Sequence, residues 1–307
     1  MAKVSIISPC YNGETHLIPY IKGLLSQTYS DVEVIFVNDG SVDKTETIIN
    51  SYSEQFKSKG WDFIYLKLEK RGGQAKAINQ GLKICTGDYI SCIDSDDIIL
   101  PKYIEKMSKF LDKNEDYGIA FPWAELVEEH TYKPILCHKR DIPGHVQDTL
   151  FDEFILQQYD DENYIRYSSF MLRSKCLFEI YPNRQIYEGL SGQNAQLILP
   201  ILYNYKFGYV KEILYKAIVR NNSDSCLDSQ KDFLDKTKSW EDIYCNVLKI
   251  IPNMPDYEKA YYFKYVKDYW QDMRKNILKN IKSKDSLLNR LKRVIKFFRL
   301  YICMHKY

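Results

Sequence analysis

No two of the eight cysteines form a C-x-x-C pair; they fall at positions 10, 85, 92, 137, 176, 226, 245 and 303. That scatter excludes a cysteine-rich zinc site and a dense disulfide framework. Nowhere do 18 apolar residues run together, which excludes a membrane-spanning helix. The apolar stretch of MAKVSIISPCYNG turns polar too soon for a signal-peptide core, so a reducing, cytoplasmic setting is expected. An excess of one charge is missing as well, with 43 Lys+Arg against 41 Asp+Glu. Internal repeats and low-complexity linkers are also absent. What is present belongs to a folded protein: 45% hydrophobic and 27% charged residues over 307 positions, enough for one large domain or a domain with an appendage. The 26 tyrosines read as amphipathic packing, with sugar stacking as the alternative for individual rings.

Short β-branched runs at 3–7 (KVSII) and 32–37 (VEVIFV) suit strands buried on both faces of a parallel sheet. Between them, Leu17, Ile21, Leu24 and Leu25 recur at helical spacing, with Pro19 in the first turn. A second helix is expected over 44–60, closed by Gly60. Then follow a strand at DFIYLKL, a loop EKRGGQ, a helix AKAINQGLKICTG and a strand YISCID. This alternation predicts βαβ units in an open, mostly parallel sheet, whose ligands bind beyond the carboxyl ends of the strands. SPCYN, NDGSVD, KRGGQ and DSDD all fall on that edge. The middle, about 118–225, is less regular, with a helical run expected over 191–208 (SGQNAQLILPILYNYKFG). From about 228 the pattern is helical and increasingly basic, with eleven Lys/Arg against one acid, Asp285, between Arg274 and Tyr307.

Asp94, Asp96 and Asp97 in CIDSDDIIL crowd three negative charges at a strand end. Three readings are open: a solvated turn in which Asp97 caps the next helix, a Mg²⁺ or Mn²⁺ site, and a general acid/base pair. Near-adjacent carboxylates are poorly placed for the last, which needs groups on either side of a sugar. The neighbouring loops favour the metal: they are rich in Asn, Asp, Gly and Arg, as a nucleoside diphosphate requires.

The stretch VSIISPCYNGETHLIPYIKGLLSQTYSDVEVIFVNDGSVDKT, followed by GGQAKAINQGLKICTGDYISCIDSDDIILPKYIEKM, resembles the N-terminal half of family 2 inverting glycosyltransferases of the GT-A fold. A weaker likeness continues through GLSGQNAQLILPILYNYKFGYVKEILYKAIVRNNSDS, as in bacterial members that build surface polysaccharides or protein glycans. The resemblance implies an α/β GT-A catalytic domain over 1–225. Residues 1–115 form its nucleotide-binding half and 116–225 its acceptor half, with a helical, basic region over 226–307. It implies that Pro9, Tyr11, Asn12 and Glu14 wrap base and ribose, and that Asp39 bonds the base. Arg71, Gly73 and Lys76 lie near the nucleotide, and Asp94, Ser95 and Asp96 meet ribose, sugar and a Mn²⁺ or Mg²⁺ ion. Asp43 is read as a helix cap.

Two departures stand out. Many relatives carry an acidic pair at the start of the acceptor-side helix, roughly where this chain has Gln193 and Asn194. Amides cannot take a proton at neutral pH, so Glu188 becomes the candidate base, with Gln193 and Asn194 positioning sugar hydroxyls. In NNSDS, Asp224 stands where some relatives place a metal-binding His. The expected partners are a UDP-sugar donor and a lipid-linked or protein-linked glycan acceptor. Segment 287–302 alternates apolar and basic residues as a helix on the inner face of an anionic membrane would; packing on its own domain or on a like subunit is the alternative. Nucleic acid is not expected, since no recognition module precedes that segment. A sugar nucleotidyltransferase and a non-catalytic nucleotide-binding subunit remain the competing functions.

Overall fold

The strands Val4–Cys10 (β1) and Val32–Asn38 (β2) are buried at every residue, as parallel strands covered on both faces must be. Their side chains alternate between two apolar layers. Ile6, Val34 and Phe36 face one with Leu17, Ile21 and Met107. Ile7 and Ile35 face the other with Ile78, Ile198, Tyr244 and Trp270. The computed structural model describes residues 1–139, 147–156, 169–189, 192–220 and 230–282; Asp224 and segment 287–302 lie outside them.

Helices α1 (Leu17–Leu25), α2 (Thr45–Ser51), α3 (Ser53–Ser58) and α4 (Gln74–Ile84) alternate with β1, β2, β3 (Asp62–Lys67) and β4 (Tyr89–Cys92). These four strands pair in parallel in the order β3-β2-β1-β4. Connections run outward from β1 on one side and return on the other, so the topological switch point lies between β1 and β4, where open α/β sheets bind ligands. The chain continues through β5 (Ile98–Ile99), α5 (Tyr103–Lys113), β6 (Tyr117–Glu128), β7 (Pro134–His138), α6 (Gln147–Ile155), β8 (Met171–Arg173), α7 (Ser174–Ile180), α8 (Gln193–Asn204) and β9 (Lys206–Val219). Helices α9 (Gln230–Ile250) and α10 (Asp256–Lys282) follow. The sheet extends as β4-β8-β6-β9-β5, with β7 on β6. β6 and β9 run parallel, while β8, β5 and β7 join antiparallel.

Two local expectations change. The helix expected over 44–60 breaks at Tyr52, whose N–H bonds Ile49 O at 3.2 Å, into α2 and α3. The helical run expected over 191–208 stops at Asn204, and Lys206–Gly208 open β9. Gly208 is required there because a Cβ would collide with the Phe110 ring.

β5 is short but firmly placed. A Cβ on Gly23 of α1 would come within 2.9 Å of Ile99 O, so α1 lies against it. Buried Gln27 donates to Leu100 O at 2.7 Å and accepts from Ile104 N at 3.0 Å. On the other side Ile98 and Ile99 pair with Lys216 and Tyr215.

Candidate active site

The first two loops beyond the sheet are laced together by turn chemistry. Asn12 adopts φ +46°, its N–H donates to Ser41 Oγ at 2.9 Å, and its Oδ1 accepts from Val42 N at 3.1 Å. Gly13 N donates to Thr45 Oγ1 at 2.7 Å, and Glu14 N donates to Asp43 Oδ2 at 2.9 Å. Asp43 also accepts from Thr45 N at 3.0 Å at the start of α2. Burial pushes the Asp43 carboxyl up, but these bonds from Thr45 and Glu14 outweigh it and hold it below its ordinary range. Glu14 pairs with Lys44 at 2.8 Å, and that hydrogen bond depresses its pKa. Pro9 is buried within β1, opposite Val37.

Asp39 is 3% exposed and spans the gap to the third loop, accepting from Gly72 N at 2.7 Å and Gly73 N at 2.8 Å. Gly73 sits at φ +91°, a conformation that favours glycine. The same loop sends Arg71 over the Tyr11 ring, 4.1 Å from its centroid. Lys76 lies against Gly72, where a Cβ would meet Lys76 Cδ at 2.5 Å. Ser95 is buried, and the Cys10 thiol, which donates to Ser8 O at 3.4 Å, is pushed up to about 12 by burial.

In the acidic turn, ligand atoms of Asp94, Asp96 and Asp97 lie within 4.8 Å of one another. Their partners separate their roles. Asp97 is 1% exposed and accepts from Tyr215 OH at 2.7 Å and Ile218 N at 2.8 Å. It therefore ties the turn to β9 and does not cap α5, whose N-cap is Lys102 without a side-chain bond. Asp94 and Asp96 face the edge half-buried. Asp94 Oδ1 accepts from Gln74 Nε2 at 2.6 Å. Asp96 closes an ion pair with Arg220, one residue past β9, and Arg220 Nη1 donates to His16 Nδ1 at 2.8 Å. Burial, then the Arg220 charge, lowers the His16 pKa to about 4.

The acceptor-side candidates reach this edge through amides. Gln193, the first residue of α8, donates to Gln74 Oε1, continuing the chain that ends on Asp94. A carboxylate only accepts, so it fixes the Gln74 amide orientation, which in turn makes Gln193 the donor. Asn194 is buried behind it, its Oδ1 without a partner among the described residues. Glu188 is exposed at a tight turn, where Gly189 N donates to Tyr187 O at 3.0 Å, on a segment held from two sides. Asn79 bonds both Ile186 O (3.0 Å) and Ile186 N (2.8 Å) and donates to Glu188 Oε1 at 3.2 Å. Gln196 bonds both backbone groups of Tyr187 at 2.9 Å. Sequence reasoning missed Gln74, Asn79, Gln196, Arg220 and His16. For Asn79 a signal existed: a polar residue on the apolar face of helix 74–84.

The family model described as "Glycosyl transferase family 2" matches residues 5–180, more than half the chain. The chain belongs to glycosyl transferase family 2. Among curated family relatives, the minor teichoic acid biosynthesis protein GgaB of Bacillus subtilis is 30% identical over 77% of this chain and 25% of its own length. The chain spans 38% and 41% of the length of two uncharacterized glycosyltransferases of Rickettsia typhi and Rickettsia prowazekii, at 38% and 39% identity over 42% and 45% of this chain. Staphylococcus aureus TarS 1–349, solved with UDP-GlcNAc, superposes with a TM-score of 0.63 at 18% identity, over 98% of this chain and 81% of that one. The Pyrobaculum calidifontis mannosyltransferase PcManGT, solved with GDP-Man and Mn²⁺, gives 0.60 at 13% identity, over 99% and 84%. At such identities the likeness carries the GT-A fold. It agrees with an α/β family 2 chain whose last described elements are the helices α9 and α10.

Proposed function

We propose that this chain transfers one sugar, with inversion, from a nucleoside diphosphate donor to a hydroxyl of a bacterial glycan acceptor, with a Mn²⁺ or Mg²⁺ ion. One observation carries this reading: Asp94 and Asp96 present carboxylate oxygens at the switch-point edge, beside the loop held by Asp39. The donor set fits a hard divalent cation, which takes one or two carboxylates and completes its shell with phosphate oxygens. Asp94 and Asp96 would hold it, since Asp97 is spent on β9. When bound, such an ion supplies Lewis-acid stabilisation of the departing diphosphate.

The chain's own residues would do the rest. Tyr11, stacked under Arg71, and the loop 72–73 held by Asp39 offer an aromatic face and backbone for a nucleotide. UDP is the default nucleoside, supported by the UDP-GlcNAc complex of TarS; GDP, as in PcManGT, is the alternative. Glu188, positioned by Asn79, would take the acceptor proton. The acceptor oxygen then bonds the anomeric carbon from the opposite face, while the bond to the diphosphate oxygen breaks and its electron pair leaves with the nucleotide. Gln193 would orient the acceptor.

Incubation with a panel of nucleotide sugars and Mn²⁺, scored for free UDP or GDP, tests the reading. One donor should be turned over, and Asp96→Ala should abolish turnover with the fold intact. Full activity of Asp96→Ala contradicts the metal role. Pyrophosphate release from UTP and a sugar phosphate would instead mark a nucleotidyltransferase.

A further inference from the structure

Asp96 already has a cationic partner. Arg220 pairs with it through Nη2, the two side chains being 15% and 25% exposed. A guanidinium does not lose its proton in a protein, so the pair places a permanent positive charge against the carboxylate that a divalent ion would need. The delivery of Arg220 is built into the fold. Asp97 takes the Ile218 amide at 2.8 Å, β9 is clamped on β5, and Arg220 emerges two residues further on. Its other terminal nitrogen is held by His16 Nδ1 at 2.8 Å, and His16, the N-cap residue of α1, makes no side-chain capping bond. Because an arginine only donates, His16 must accept at Nδ1 and is neutral, in keeping with its depressed pKa.

We propose that Arg220 is the resting counter-ion of the donor site, occupying Asp96 while no divalent cation is bound and leaving it for the donor diphosphate when the cation arrives. This rests on the reading of Asp94 and Asp96 as the cation site. A guanidinium and a divalent ion on one carboxylate repel each other, so each weakens the other there. The freed guanidinium has a matching anion in the diphosphate, whose oxygens suit its planar fork. The cation therefore binds weakly alone and more tightly with nucleotide, and by linkage the nucleotide gains by the same factor.

Titration of the full chain with Mn²⁺, read by electron paramagnetic resonance with and without UDP, tests this. Arg220→Met should tighten nucleotide-free Mn²⁺ binding by about tenfold, the change expected for removing one unit of local repulsion, and should weaken UDP binding at saturating Mn²⁺. Asp96→Asn should remove the tight Mn²⁺ in both backgrounds, which assigns the ion to this turn. Nucleotide-free affinity that is unchanged or weaker in Arg220→Met overturns the proposal while leaving the cation site standing. Mn²⁺ bound by neither protein, even with UDP, overturns the cation site and the proposal together. Should Arg220→Met fail to fold, His16→Phe, which removes one of the two holds on Arg220, should shift Mn²⁺ binding in the same direction by a smaller factor; no shift overturns the proposal.

Discussion

At the residue scale, buried polar side chains decide which acids remain for chemistry. Asp39, Asp94, Asp96 and Asp97 are alike in sequence, yet Asp97 is consumed by Tyr215 and Ile218, and Asp39 by two loop amides. His16 gives a pH prediction. Its folded pKa, about 4, lies below its ordinary value of 6.5. Between those values the unfolded chain binds more protons, so stability rises with pH through that window and falls on acidification from 6.5 toward 4. Urea unfolding at pH 7 and pH 5 should show His16→Phe losing about 2 kcal/mol less between the two than the native chain; equal losses would contradict the assignment. Gly40 gives a second. At φ +68°, its Cβ would lie 2.5 Å from the Lys70 carbonyl carbon, backbone that cannot step aside without moving the 70–73 loop. Gly40→Ala should weaken UDP binding in calorimetry by more than tenfold. Gly60→Ala, at φ +79° with nothing within 4 Å, should cost only about 1 kcal/mol of stability.

At the element scale, α4 links the two halves of the edge. Its first residue, Gln74, reaches Asp94, and Asn79 holds the segment that carries Glu188. Asn79→Ala would strand the Ile186 N–H and C=O in a buried setting, costing about 3 kcal/mol. If Glu188 is the base, kcat should fall further than donor affinity; thermal unfolding and steady-state kinetics read the two effects. The first four strands, α1 and α4 were legible in the sequence, whereas the single helix expected over 44–60 is two. β1, β2 and β4 are mostly apolar and buried along their length, and a turn-forming Asn or Asp follows within two residues of each. The α8–β9 junction was not legible: KFG follows a helical run, and it becomes strand through pairing with β6, a partner more than 80 positions earlier in the chain. Among site residues, Asp39 and the acidic turn were visible as local motifs. Arg220 was not, because its partner lies 124 positions earlier and the pairing depends on β9 docking beside β5.

At the scale of the whole molecule, α9 and α10 share one apolar layer with β1, β2 and α4. Ile243, Tyr244, Leu248, Val266 and Trp270 belong to the same cluster as Ile7, Ile35 and Ile78. Trp240, Tyr244 and Trp270 stack with ring centroids 5.7–6.5 Å apart. Truncation after residue 229 should therefore bare a large apolar face and yield a chain that binds ANS and unfolds without a sharp transition; a cooperative, ANS-negative fragment would contradict this. Among the described residues no helix is long and apolar enough to cross a membrane. The central claim is that Asp94 and Asp96 hold a divalent ion against a nucleoside diphosphate. Anomalous diffraction at the manganese edge, from a crystal soaked with UDP and Mn²⁺, tests it most directly. A peak at bonding distance from both carboxylates and the diphosphate is the expected result. Ordered UDP with no anomalous peak beside those carboxylates would contradict it.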